Sequence, residues 1–580
     1  MESKMEKRGL LDENNNPIRN DRRRFFRTLG CQFWSLALVL AWIVVLCCVR
    51  KGNQRKVQQT NPLFAAVQLP DAPSTLQGPF QPRTVPFNES LGFGSEELNE
   101  TNPRVVRRVT GWEPEQISLA LSTPDAMYIS WITGEAQIGF SIAPLDPSTV
   151  APVVQYGTKS GELSLNAVGT SEIYNQLYPY QELQNYTSGI IHHVKISGLE
   201  PNSQYFYRVG DPSIPALSKE LSFRTLSVPG PASFPTSIAV IGDLGLTYNS
   251  TSTIDHLMQN NPDLVFMIGD MVYADLYITN GSGSSSYSES FPNTPIHETY
   301  QPRWDLWGRF MEPLTSAVPL MVIEGNHEIE GQGDGVTFAS YKARFSVPFR
   351  ESGSPNPFYY SFDAGGIHFL MLGAYIDYSK TSEQYAWIER DLAQVNRSVT
   401  PWLVATWHPP WYNSYVAHYR EVECMRISME ELLYKNGVDL VLNGHVHAYE
   451  RMNRVYNYTL DECGPVHIIV GDGGNHEKFS LPHADEPNQC PKHPEKGGDD
   501  IGGYCGFRFD SGPAAGQYCW DRQPEWSAMR ETSFGHGIIN VMNSTHLLWT
   551  WHRNQDLFNG VGDQVYIVRQ PGVCHNQPQA

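Results

Sequence analysis

The sequence predicts an α/β domain preceded by an all-β antiparallel sandwich, with a single membrane-crossing helix ahead of both. Three observations carry this. From about residue 234, five apolar, β-rich runs end in polar side chains and alternate with helical stretches such as 381–396 and 426–436, the pattern of a layered α/β domain. Between 105 and 228, short alternating segments follow one another at strand length and end in glycine-containing turns, as in an antiparallel sandwich. Residues 31–49 form an apolar run that nothing polar interrupts after Ser35; at ~1.5 Å per residue it matches a hydrocarbon core about 30 Å thick.

The amino-terminal residues 1–30 are polar and basic, with Arg19, Arg22, Arg23, Arg24 and Arg27 before the apolar run and Arg50, Lys51, Arg55 and Lys56 behind it. The more basic flank is the one expected to stay in the cytoplasm. No small-x-small cleavage site follows, which favours an uncleaved signal anchor over a removed signal peptide. Either way the remainder is expected to enter the secretory pathway and to stand outside the cell or at its surface. Sequons at Asn88, Asn99, Asn185, Asn249, Asn280, Asn396, Asn457 and Asn543 agree with that, each as a glycosylation candidate. Three of the nine cysteines lie in the apolar run; Cys424, Cys463, Cys490, Cys505, Cys519 and Cys574 remain, enough for up to three disulfides of open pairing. A net charge of -19 over 580 residues argues against nucleic acid as a partner, and the length calls for at least two folded domains.

Residues 50–104 are rich in Pro, Gln, Ser and Asn without a period and read as a stalk or loosely packed lead-in. The sandwich is expected over 105–228, where His192 and His193 lack acidic or cysteine neighbours at metal spacing and read as ordinary strand residues. Pro229, Gly230 and Pro231 mark the boundary. The α/β domain then runs over 234–555, and 556–580 reads as a carboxyl-terminal tail.

Within the α/β domain the five apolar runs share one grammar. Four end in glycine followed by a metal-competent side chain: Asp243 in GDLG, Asp270 in GDMVY, Asn326 in GNHE, and the pair His445 and His447 in GHVHAYER; the fifth delivers His408 in WHPPWY without the glycine. Strands of such a layer present their carboxyl ends to one crevice, so five polar groups in register point to a metal site with two ions. The GxSxG elbow and the GxxxxGK[ST] loop are both absent, which removes the serine-hydrolase and phosphate-loop alternatives.

These five blocks, in this order, resemble the metallophosphoesterases and, within them, the plant high-molecular-weight purple acid phosphatases; the likeness extends over about 105–555. Tyr273, three residues after Asp270, is the feature that separates that family from its relatives. The resemblance implies a two-sheet α/β sandwich behind a fibronectin-type domain. It implies Asp243, Tyr273 and His447 on one ion, Asn326, His408 and His445 on the other, and Asp270 bridging. The anionic oxygens of the first set suit Fe(III); the amide and imidazoles of the second suit Zn, Mn or Fe as a divalent ion. The implied reaction is hydrolysis of small-molecule phosphate monoesters by a hydroxide that the two metals activate, without a phosphoenzyme.

The same resemblance places His327 over the incoming phosphate and makes His418 a substrate-binding residue. Many members carry a second histidine where this chain has Ala417, which leaves protonation of the leaving group to His327, His418 or solvent. Asp275 and Glu328 are expected to be hydrogen-bond partners of the ligands, and His467, His476 and His552 to be structural. The segments HPPWYNSYVAHYREVECM and YNYTLDECGPVHI resemble the members that attack phytate. Two other readings stay open on sequence grounds: a phosphodiesterase or nucleotide pyrophosphatase on the same fold, and a phosphate- or glycan-binding surface protein without turnover. Oligomeric state is not legible.

Overall fold

The computed structural model describes residues 71–574, apart from 92–95, 178–183, 276–300, 333, 478, 493–504, 506–507 and 510–513. The expected anchor at 31–49 and the sequon at Asn280 lie outside the described residues; among these no helix is long and apolar enough to cross a membrane.

Where described, residues 115–224 are built mainly of β-strands. Strands Glu115–Thr123, Ala126–Thr133, Ile190–Ser197 and Thr170–Glu172 make one antiparallel sheet; Val153–Gly157, Leu165–Val168, Gln204–Asp211, Ala216–Leu217 and Leu221–Arg224 make another. The alternation legible in the sequence is the pleat: Tyr205, Tyr207 and Val209 are buried, while Gln204, Phe206 and Arg208 between them are more exposed, as a period of two requires. His192 is buried and bonds Thr133 and Ser171, an ordinary strand residue.

The α/β domain is built on two sheets. In the first, Leu320–Ile323, Leu264–Ile268 and Thr236–Ile241 run parallel, and Gly535–Val541, His546–Arg553 and Asp563–Val568 extend it antiparallel. In the second, Ile367–Met371, Trp402–Thr406, Leu440–Asn443 and Val466–Val470 run parallel. Every residue of Leu264–Ile268, Leu320–Ile323, Trp402–Thr406 and Leu440–Asn443 is buried, which is why these runs read as continuous rather than alternating apolar stretches. The inner faces meet at Phe266, whose ring stands edge-on to Phe369 of the second sheet at 4.5 Å. The two expected helices are found at Glu383–Leu392, where the Ser382 hydroxyl accepts the Tyr385 N–H, and at Glu423–Lys435.

Two segment readings are corrected. The stretch taken as a tail from 556 carries Asp563–Val568, paired with His546–Arg553 and buried from Val565 to Val568; a short strand behind a glycine-rich turn has too few residues to announce itself. The lead-in is not loose where it is described. Arg83–Thr84 pairs in parallel with Met529 and Arg530, the Phe80 N–H donates to Asn453 Oδ1 at 2.7 Å, and Glu97 lies 2.5 Å from Arg303. A Pro-rich chain without periodicity still covers a sheet edge, because edge pairing needs backbone groups rather than a side-chain pattern. Three disulfides settle the open pairing: Cys424–Cys505, Cys463–Cys574 and Cys490–Cys519.

Candidate metal centre

The sequence-predicted groups come together where the carboxyl ends of the two sheets meet, three strands from one sheet and two from the other. Glycine at these ends is a steric requirement. Gly269 has φ of +70°, and a Cβ there would lie 2.6 Å from His408 Nδ1; one on Gly444 would lie 2.4 Å from Asp243 Oδ2. The next residues are turned hard as well: Asp243, Asp270, Tyr273 and His445 all have positive φ, between +49° and +70°. Such non-glycine conformations cost on the order of 1–3 kcal/mol each and persist where the surroundings over-determine them.

Two donor groups result. Tyr273 Oη lies 3.4 Å from Asp243 Oδ1 and 3.2 Å from His447 Nε2, and His447 Nε2 is 3.4 Å from the same Asp243 oxygen. On the other side, Asp270, His408 and His445 each offer a ligand atom within 4.8 Å of the others. Asn326 sits beside them, its Oδ1 accepting from Tyr375 at 3.3 Å. The two groups adjoin through His408, whose Nε2 lies 3.9 Å from Asp243 Oδ1, and Asp270 stands in the second of them. It is buried, receives the His327 N–H on Oδ1 at 2.9 Å, and presents Oδ2 2.9 Å from His408 Nε2.

The residues fit a pair of cations on two grounds. His408 Nε2 faces Asp270 Oδ2 at hydrogen-bond distance yet makes no aligned hydrogen bond, and it is fully buried. Its other nitrogen is used, since Nδ1–H donates to the Ile268 carbonyl at 2.7 Å; that fixes Nε2 as the ligand atom in the way second-shell carbonyls orient metal-bound imidazoles. At the Tyr273 and Asp243 oxygens, moreover, the neighbouring imidazoles do not offset burial. Burial pushes the Tyr273 phenol well above its ordinary range, and the Asp243 and Asp270 carboxylates push it further; burial likewise raises Asp243. A cation at these oxygens reverses that balance.

Supporting groups hold the ligands in place. Glu328 accepts the backbone N–H groups of Asp270, Met271 and Gly325 at 2.7, 2.9 and 2.8 Å. The His445 N–H donates to Asp243 Oδ2 at 2.8 Å. His327 Nδ1 meets Asp275 at 2.8 Å, with Nε2 4.0 Å from Asp270 Oδ2. His418 stands over His445, ring centroids 3.7 Å apart, and Ala417 contributes only a methyl. His467 and His552 lie among strand residues, whereas His476 packs edge-on to Tyr273 at 5.1 Å and meets Glu97 of the lead-in at 2.8 Å.

Sequence reasoning missed three contributors. Asn475 donates twice to the Asp243 carbonyl, at 3.2 and 3.0 Å; the run Val466–Val470 followed by glycine had the same grammar as the other strand ends and was readable. Glu477 lies 3.8 Å from His327 and 3.7 Å from His447. Glu421 meets His418 at 2.5 Å and His445 at 3.4 Å. Neither glutamate follows a strand directly, so no local pattern marked it.

The chain is similar to known proteins along most of its length. Residues 236–449 match the family described as calcineurin-like phosphoesterase, 114–225 the purple acid phosphatase N-terminal domain, and 508–564 the iron/zinc purple acid phosphatase-like protein C. Purple acid phosphatase 15 of Arabidopsis thaliana is 62% identical over 503 residues, covering 87% of this chain and 94% of its own. Purple acid phosphatase 23 of the same plant is 60% identical over 430 residues, covering 74% and 93%. Among solved structures, purple acid phosphatase PPD1 from yellow lupin seeds shares the fold at a TM-score of 0.59 and 24% identity, over 79% of this chain and 75% of that one.

Proposed function

The chain belongs to the plant purple acid phosphatases, dinuclear metal-dependent acid phosphatases acting on small-molecule phosphate esters, and from that premise we propose that it hydrolyses phosphate monoesters, phytate among them, at the convergence of the two sheets. In this reading Asp243, Tyr273 and His447 hold Fe(III), Asn326, His408 and His445 hold a divalent Zn, Mn or Fe ion, and Asp270 is shared. The observation that carries it is the division of the donors into an oxygen-rich group around Asp243 and Tyr273 and a nitrogen-rich group around His408 and His445 beside Asp270. When bound, such a pair supplies an acidified water and positive charge for the phosphoryl oxygens.

The chain's own residues do the rest. With Nδ1–H given to Asp275, His327 turns Nε2 toward the phosphoryl position beside Asp270. His418, at the more exposed side of the site, faces the alcohol part of the ester. The small side chain of Ala417 beside it suits a bulky, many-phosphate alcohol such as phytate. The protein is further proposed to work in the secretory pathway or outside the cell, tethered by residues 31–49; its three disulfides suit an oxidising compartment.

A visible spectrum, metal analysis and rates on one preparation test this reading. A tyrosinate-to-iron band that vanishes in Tyr273→Phe, with hydrolysis of p-nitrophenyl phosphate and phytate outpacing that of bis(p-nitrophenyl) phosphate, is the expected result. A colourless protein with two divalent ions, or faster turnover of the diester, overturns the metal or the substrate assignment respectively.

A further inference from the structure

After His408 the chain leaves the metal centre, runs through a loop and returns with His418 and Glu421. The return is held under strain: His418 and Arg420 have φ of +56° and +57°, so neighbouring contacts must pay for it. Asn413 Nδ2 donates to the Ala417 carbonyl at 2.7 Å, and the Val416 N–H donates to the Pro482 carbonyl at 2.9 Å. The Arg420 guanidinium lies 4.2 Å from the Phe509 ring centroid and reaches Glu423 at 3.2 Å. One residue further, Cys424 is tied to Cys505. The carboxyl-terminal region thus clamps this loop from outside the metallophosphoesterase core.

What the clamp presents is the carboxylate of Glu421. Its Oε2 accepts from His418 Nδ1 at 2.5 Å and lies 3.4 Å from His445 Nε2. His445 is buried, whereas the His418 side chain is 37% exposed. The pair therefore spans from the metal centre to the mouth of the site. No polar side chain at 417 competes for His418, so Glu421 is the acidic group that decides how its ring is turned.

We propose that Glu421 is a positioning residue for the phosphatase reaction: by taking the Nδ1–H of His418 it holds that ring with Nε2 toward the leaving oxygen of the ester, the task that a second histidine at 417 would otherwise share. This rests on the monoesterase reading above. A carboxamide at 421 offers an N–H as readily as a carbonyl, so the ring loses its enforced orientation. The hydrogen bond to the leaving oxygen matters most when that oxygen is a poor leaving group.

The test uses the metal-loaded full chain and compares Glu421→Gln, Glu421→Asp, His418→Asn and the His418→Asn/Glu421→Gln double variant on p-nitrophenyl phosphate and glycerol phosphate. For Glu421→Gln the expected kcat loss is about 10-fold on the aryl ester and about 100-fold on the alkyl ester, the range for removing a group that orients a site residue, with metal content and KM unchanged. Glu421→Asp should recover part of the loss, and the double variant should be no slower than His418→Asn alone, because Glu421 acts through His418. Equal losses on both esters, additive losses in the double variant, or loss of metal from Glu421→Gln overturn the proposal; the last would make Glu421 a brace for His445. If Glu421→Gln does not fold, the aspartate variant and the cycle with His418→Asn decide the matter in the same way. A wild-type protein that cleaves neither ester would sink the underlying reading instead, whatever the variants do.

Discussion

Two buried charged clusters in this molecule look alike in composition and differ in completeness. Where the β-sandwich meets the α/β domain, Asp305 is buried with the Arg344 guanidinium 3.0 Å away, Tyr186 donates to it at 2.7 Å, and Arg344 also reaches Tyr174 at 3.2 Å. Burial opposes its ionisation, but the Arg344 charge prevails and Asp305 stays below the usual carboxylate range. At the metal centre Asp243 and Asp270 are buried as deeply. Their described partners are His408, His447, Tyr273 and backbone amides, with no guanidinium or ammonium among them; burial keeps Asp243 above the usual carboxylate range, whereas at Asp270 burial is outweighed by His408 and His327, exchangeable-proton cations rather than a fixed one. A buried anion with a fixed internal cation is a structural joint; one without it is a place for an exchangeable cation.

Removing Asp270 breaks the comparison most severely. Asp270→Ala takes away the buried carboxylate that faces His408 Nε2, and we expect it to lose bound metal and to lower the phosphatase rate on the order of 10³-fold, measured by metal analysis and turnover on one sample. Arg344→Met leaves Asp305 buried and unpaired, at a cost of about 3–5 kcal/mol, yet should retain metal. Urea unfolding read beside metal content checks that; metal loss at unchanged stability would show that the two clusters are not separate. Glu328→Gln keeps the shape of the brace under Asp270 and Gly325 but weakens its grip on their N–H groups, and metal affinity should drop about 10–100-fold, measured by chelator competition.

The smallest effect belongs to a third cluster. His368 lies between Asp363 and Asp391, at 2.7 and 2.8 Å; burial opposes its charge, but these hydrogen bonds push it up to about 9. A raised folded-state value means the stabilisation is fully present below the ordinary histidine pKa of about 6.5 and is lost as pH rises through about 9. Allowing for the exposure of Asp363, about 1 kcal/mol is at stake. Urea midpoints of the wild type and His368→Gln should differ at pH 6 and converge at pH 10; a constant difference would exclude the ion pair as its source.

Much of this was legible before any coordinates. Asp243, Asp270, Asn326, His408 and His445 each follow a strand, so a local pattern of apolar run, turn and donor marked them one at a time. Glu421 and Glu477 carry no such mark, since their relevance depends on loops that return from elsewhere. The strand Asp563–Val568 and the edge pairing of Arg83–Thr84 were missed for the same reason: each is stabilised by the neighbour it finds.

Element order, the sandwich ahead of the α/β domain and the chemical types of the donors are written locally, because burial of apolar runs and the steric demand for glycine at strand ends act within a few residues. Tertiary contacts alone bring Asp270 against His408 and His445, pair the cysteines and set Glu421 beside His418. Those outcomes depend on two sheets converging and on a carboxyl-terminal clamp, contacts between residues tens to hundreds of positions apart whose geometry no local pattern encodes.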